Sequence, residues 1–146
     1  MTTTAEWVKI KQWLLGAKSI IETLKAKENA TENDVREAIC TYIQHRYMLD
    51  RCPKPQESIY VQAEESAAIM AGLPQKQLHE MEAVSGCTGA KSAMVKKVLL
   101  LMSLNEMMGW HLSEKTCMEM ETVQDIIDFA YHYRYVTDMH NKLSNK

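Results

Sequence analysis

The sequence predicts an all-α chain, and three observations carry that expectation. Only 5 glycines and 3 prolines punctuate its 146 residues, while Ala, Leu, Lys, Glu and Met, which lose little on entering a helix, are plentiful. Apolar residues recur in steps of three and four, the period that gathers them on one helical face. Hydroxyl and carboxylate residues stand three apart where several of those stretches begin, and there they satisfy backbone N–H groups that lack partners inside the helix. The expectation is a bundle of six to seven helices, with an N-terminal hairpin over 1–52 and a C-terminal bundle over 53–146 packed as one unit.

Each element follows from its residues. The first helix is expected from about Thr4 to Lys27, with Thr3 and Glu6 at capping spacing. Its stripe of Trp7, Ile10, Leu14, Ala17, Ile21 and Leu24, widened by Trp13, Leu15 and Ile20, serves either as a core face or as a coiled-coil seam. After "KENATEND", Thr31 and Asp34 cap a second helix that buries Val35, Ile39, Tyr42, Ile43 and Leu49 and is expected to stop at Pro53 and Pro55. A third helix covers about Glu57 to Ala71, with Ile59, Ala63, Ala67 and Met70 inward, and Gly72 and Pro74 end it. A short fourth helix, "PQKQLHEMEAV", buries Leu78, Met81 and Val84. The fifth runs from near Ala90 to Gly109, and Val95, Val98, Leu99, Leu101, Met102, Leu104 and Met108 mark it as the most buried. Ser113 caps a short helix through Met120. Thr122 and Asp125 cap the last helix, with Val123, Ile126, Ile127, Ala130 and Tyr133 inward.

Charge and composition exclude several functions. A net charge of −2 offers no general field for nucleic acid or an anionic membrane. No apolar run reaches the roughly 18 to 20 residues that span a bilayer. The start, "MTTTAEWVKIKQ", lacks the charged-then-apolar layout of a signal peptide, so a cytoplasmic protein is expected. Cys40, Cys52, Cys87 and Cys117 form no C-x-x-C pair and match no zinc spacing, which points to reduced thiols and no metal site. His45 and Cys52, or His79 beside its glutamates, do not complete a ligand set either. Nothing in the spacing of carboxylates, cysteines or histidines compels an active site, so a non-enzymatic role is expected.

The densest cluster of chemistry-bearing residues is "SGCTGAKSAMVKK", residues 85–97, at the mouth of the fifth helix. Free N–H groups and the helix dipole favour an anion there, and Thr88, Lys91 and Ser92 suit a phosphate or phosphodiester. The same residues serve equally as a cap, with Gly86 and Gly89 permitting the turn. Cys87 is a candidate reactive thiol, because a helix end and Lys91 lower a thiol pKa; the alternative is a small, partly buried residue. Met94, Met102, Met107, Met108, Met118 and Met120 suit an adaptable core, or a groove for an acyl chain or partner helix. The aromatics of "YHYRY" pack on neighbours or stack on a base.

The stretch "VKKVLLLMSLNEMMGWHLSEKTCMEMETVQDIIDFAY" resembles the acyl carrier protein family in its order of elements. There a long helix follows a loop bearing a modified serine, and a linker, a small helix and a last helix opening on Thr-Val come after it. Met108 stands where the family has the aromatic closing the long helix, and Leu112 where it has the linker isoleucine. The resemblance implies 4′-phosphopantetheine on Ser92, with Thr88 and Lys91 at its phosphate. Lys91 then replaces the family's aspartate and Ala93 its leucine; aligning the apolar stripe instead puts Met94 at the serine position and Val95 at the leucine. Lys91, Lys96 and Lys97 make basic a helix start that is acidic in the family. The expected role is a non-catalytic protein that carries or presents a group, or docks to a partner enzyme. The alternative is a helical adaptor or homodimerisation module without a prosthetic group, using the N-terminal stripe and the Met-rich surfaces.

Overall fold

Residues 4–72 and 92–144 are described in a computed structural model, and among them lie six helices and no strand. They are α1 (Thr4–Ala26), α2 (Glu32–Tyr47), α3 (Ile59–Ala71), α4 (Ser92–Met108), α5 (Glu114–Glu119) and α6 (Val123–Ser144). The all-α class follows directly. The expected short helix with Leu78, Met81 and Val84 lies outside the described residues, as does the Thr3 cap.

Local chemistry sets several boundaries where the sequence put them. The Thr31 hydroxyl accepts from the Asp34 N–H at 3.1 Å while the Asp34 carboxylate accepts from the Thr31 N–H at 2.9 Å, a complete capping box for α2. Thr122 and Asp125 repeat the arrangement for α6, with the Asp125 carboxylate also taking the Glu121 N–H at 2.9 Å. Ser58 caps α3 and Ser113 caps α5. Gly109 (φ 70°) closes α4 as expected: its N–H bonds to Glu106 O and that of Trp110 to Asn105 O, leaving the Trp110 indole buried against Phe129.

These caps carry a pH dependence. The Thr122 N–H, then that of Glu121, holds the Asp125 carboxyl below its ordinary value. A carboxyl lowered in the folded chain contributes stability above its unfolded pKa of about 3.9, and that contribution disappears as pH falls through the folded value. Because Asp125 is exposed, solvent screening keeps the expected cost of Asp125→Asn at pH 7 to about 0.5–1 kcal/mol. Urea denaturation should show the variant and wild type converging by about pH 2.

Three expectations are corrected. First, α2 stops at Tyr47, well before Pro53 and Pro55. Met48 adopts a left-handed backbone (φ 54°), its N–H reaching His45 O and the Leu49 N–H reaching Gln44 O. Leu49 then folds into the core at 1% exposure, which offsets the cost of a non-glycine residue in that conformation. Second, α3 turns Met70 outward, at 51% exposure, and buries Ile59, Gln62, Ala63, Ser66 and Ala67. Each polar residue enters with a bond: the Ser66 hydroxyl donates to Tyr47 O at 2.8 Å and the Gln62 Nε2 to Glu57 at 3.2 Å, while Gln62 Oε1 is buried without a partner among the described residues.

Third, α4 is apolar around most of its girth, so its pattern alone does not select the inward face. Ala93, Lys97, Leu100, Leu101 and Leu104 are buried, while Val95, Leu99 and Met102 lie on the surface. The lysines at its start are largely committed inward. Lys97 is 5% exposed and donates to Met118 O at 3.2 Å. Lys96 packs over the Tyr47 ring and against the Met70 sulfur, and burial lowers its pKa. Of the three lysines that make the start of this helix basic, Lys91 lies outside the described residues.

One hydrophobic cluster joins α1, α2, α3, α4 and α6, with Ile21, Ile39, Ile43, Ile59, Leu101 and Ile126 fully buried in it. Packing is most extensive between α1 and α2, which form the N-terminal hairpin, and between α3 and α4; α2 also packs on α6. A short antiparallel bridge, Ile59 N–H to Glu121 O and Val123 N–H to Glu57 O, ties the start of α3 to that of α6. In the hairpin, the His45 ring tilts against Trp13 with centroids 4.8 Å apart and presses against Gly16. A Cβ at Gly16 would stand 2.8 Å from His45 Nδ1. Gly16→Ala is therefore expected to forfeit the usual helix-propensity gain of about 1 kcal/mol and instead destabilise by about 1–2 kcal/mol in a denaturant titration.

Candidate docking groove

The first helix is more apolar than the fold can cover. Its stripe divides in two: Ala17, Ile21 and Leu24 are buried, whereas Leu14 and Leu15 remain 38% and 57% exposed, beside Val8 at 52%, a residue outside that stripe. At about 100° per residue, Leu14, Lys18, Lys11, Leu15 and Val8 wind away from the face that meets α2. They form one wall of a groove of about 710 Å³, whose other walls are Tyr42 and Arg46 from α2 and Ser103, Glu106 and Met107 from α4. The C-terminal half of the stripe is thus filled by the protein's own core, and Leu14 and Leu15 of its N-terminal half line the groove.

The groove has an apolar interior and a polar rim. At its floor the buried Tyr42 hydroxyl donates to Ser103 Oγ at 3.1 Å, and burial raises the Tyr42 pKa. Lys11 and Lys18 stand along α1, Arg46 along α2, and Glu106 opposite them on α4. Lys25, two turns beyond Lys18 on α1, donates to Met107 O at 2.7 Å and ties α1 to the end of α4. A second recess on the hairpin, about 310 Å³, is smaller and relatively more polar, with Ser19, Thr23 and Thr41 in its wall. There Lys27 and Asp34 already pair at 2.9 Å, so it presents no comparable apolar seat.

Of the residues singled out by sequence, Ser92 opens α4, while Thr88, Lys91 and Cys87 lie outside the described residues. The methionines divide: Met120 is buried, Met107 lines the groove, and Met102 and Met118 are on the surface. Tyr131 and Tyr133 pack on the core, and Tyr133 stacks on Phe129 at 5.9 Å. No group of three His, Cys, Asp or Glu side chains able to hold a metal occurs among the described residues. No described helix is long and apolar enough to cross a membrane. Arg46 and Glu106 were not singled out by sequence; their one signal was a charge placed beside an apolar stripe, which only the packing converts into a groove rim.

The thiols differ sharply. Cys40 and Cys117 are buried, and burial pushes the Cys40 thiol up to about 11 and raises that of Cys117. Cys52 is exposed. Labelling of the native chain at neutral pH should modify Cys52 quickly and leave Cys40 and Cys117 slow. If Cys87 has the activated character its sequence neighbours imply, it will react faster than Cys52; a slower Cys87 ends that reading.

No family model, no curated protein and no solved structure matches the chain.

Proposed function

We propose that this chain is a non-catalytic helical docking module that seats an apolar helix of a protein partner in the groove beside α1. One observation carries the reading: Val8, Leu14 and Leu15 stay exposed in a concave groove walled by three helices. Isolated surface leucines are ordinary, but apolar side chains gathered in a trough mark an interaction site. Helices meet such troughs through residues at three- and four-residue spacing. Covering the exposed parts of the three side chains gives about 1 kcal/mol each. A facing leucine stripe contributes a similar amount, against an association cost of at least about 4 kcal/mol. Weak, reversible binding is the expected outcome. A designed amphipathic peptide with one leucine face, titrated into the full chain, should bind saturably at a single site; absence of binding contradicts the proposal.

A second reading, carriage of a group, is favoured by the order of elements alone. Ser92 opens the long α4, and the capped α5 and the Thr122–Val123 start of α6 follow in carrier sequence. Its test is independent of the groove. Co-expression with a broad-specificity phosphopantetheinyl transferase should add one 4′-phosphopantetheine by intact mass, lost in Ser92→Ala. An unchanged mass removes it.

A further inference from the structure

We infer that the helix received by this groove is acidic on the side facing α1 and α2, and that it belongs to a different protein rather than to a second copy of this chain. The inference rests on reading the groove as a docking site. Among the described residues, three of the four charged lining residues are cations, Lys11, Lys18 and Arg46, with Glu106 opposite. This is a local asymmetry: the chain as a whole carries −2, whereas α1 holds four lysines against two glutamates.

Arg46 weighs most. It is half-buried at the groove wall and has no ion pair with any described residue. A neutral helix laid over the groove would strip water from that guanidinium and leave it unpaired, which is unfavourable. A carboxylate on the incoming helix turns the same burial into a charge-assisted, two-pronged hydrogen bond. Lys18 is nearly free as well, since its pairing with Glu22 is long, at 3.9 Å, and both side chains are 64% exposed.

Spacing adds a pattern. Lys11 and Lys18 are seven positions apart, two helical turns or about 10.5 Å along α1. A partner helix running beside α1 meets both if it carries carboxylates seven positions apart. A third carboxylate between those turns, on the α2 side, reaches Arg46, and an uncharged or basic residue faces Glu106. A second copy of α1 offers the opposite: packed on the same stripe, it brings its own Lys11 and Lys18 to this cationic rim, and like charges across an interface oppose pairing.

Three labelled peptides sharing one leucine face, with glutamate, glutamine or lysine flanks, test this by fluorescence anisotropy against the full chain. The glutamate peptide should bind at least about tenfold tighter than the glutamine peptide, and less tightly as salt rises. Arg46→Gln should weaken the glutamate peptide by about tenfold and narrow its advantage over the glutamine peptide. Lys11→Gln/Lys18→Gln, on an exposed edge, supplies the same comparison if Arg46→Gln fails to fold by circular dichroism. Equal binding of the glutamate and glutamine peptides, or preference for lysine, overturns the acidic partner and leaves the groove reading intact. Binding by none of the three overturns the groove reading itself. A dimer in sedimentation analysis that Leu15→Glu dissolves overturns the choice of a foreign partner.

Discussion

Ile39→Ala should lower the unfolding free energy by about 3 kcal/mol, among the largest effects of any single truncation in this chain. Ile39 is fully buried on α2, the helix that packs against α1, α3 and α6, and its side chain belongs to the cluster those helices share. Removing three carbons there loses their transfer free energy and leaves a cavity that several elements would have to move together to fill. The surface gives a matched control. Ile69 on α3 is 48% exposed, and Ile69→Ala should cost only about 0.5–1 kcal/mol. Urea titrations of the two variants measure the contrast directly. Comparable losses would mean that α2 is not the keystone of the core.

Val8→Glu/Leu15→Glu should reduce docking of the leucine-faced, glutamate-flanked peptide about a hundredfold while changing stability by less than about 1 kcal/mol. Both residues are more than half exposed, so the fold gains little from them. Both line the groove, and carboxylates placed there lose hydration under an incoming apolar face and repel an acidic partner. The separation of effects is the diagnostic feature. Ile39→Ala weakens the fold at a residue outside the groove lining, whereas Val8→Glu/Leu15→Glu removes the seat and spares the fold.

Elements governed by neighbours in sequence were legible from the residues. The Thr31–Asp34 and Thr122–Asp125 caps and the Gly109 stop depend on contacts within a few positions, and all three occur where expected. Val35, Ile39, Tyr42 and Ile43 were legible for the same reason, since α2 has one strongly apolar side. The end of α2 was not, because Met48 takes a glycine-like conformation without glycine and is held by tertiary burial of Leu49. Nor was the face of α4: a helix apolar all round is oriented by its partners, here by α3 and by the carbonyl that receives Lys97.

The groove was half legible. Ile10, Leu14 and Leu15 of its α1 wall were visible in the apolar stripe, whereas Val8 was not. Which half stays open depends on how α1 and α2 sit beside the C-terminal part of α4, around Ser103 and Met107, and no local pattern encodes that. The residues of the loop before α4 raised a different candidate, and only Ser92 among them falls within the described chain.

Methyl-resolved nuclear magnetic resonance of the full chain, with the glutamate-flanked peptide added stepwise, tests the docking site most directly. The expected shifts concentrate at Val8, Ile10, Leu14, Leu15 and Met107, whose methyl groups line the groove. Shifts confined instead to Val61, Ile69, Leu99 and Met102, the exposed apolar residues of α3 and α4, would contradict that site.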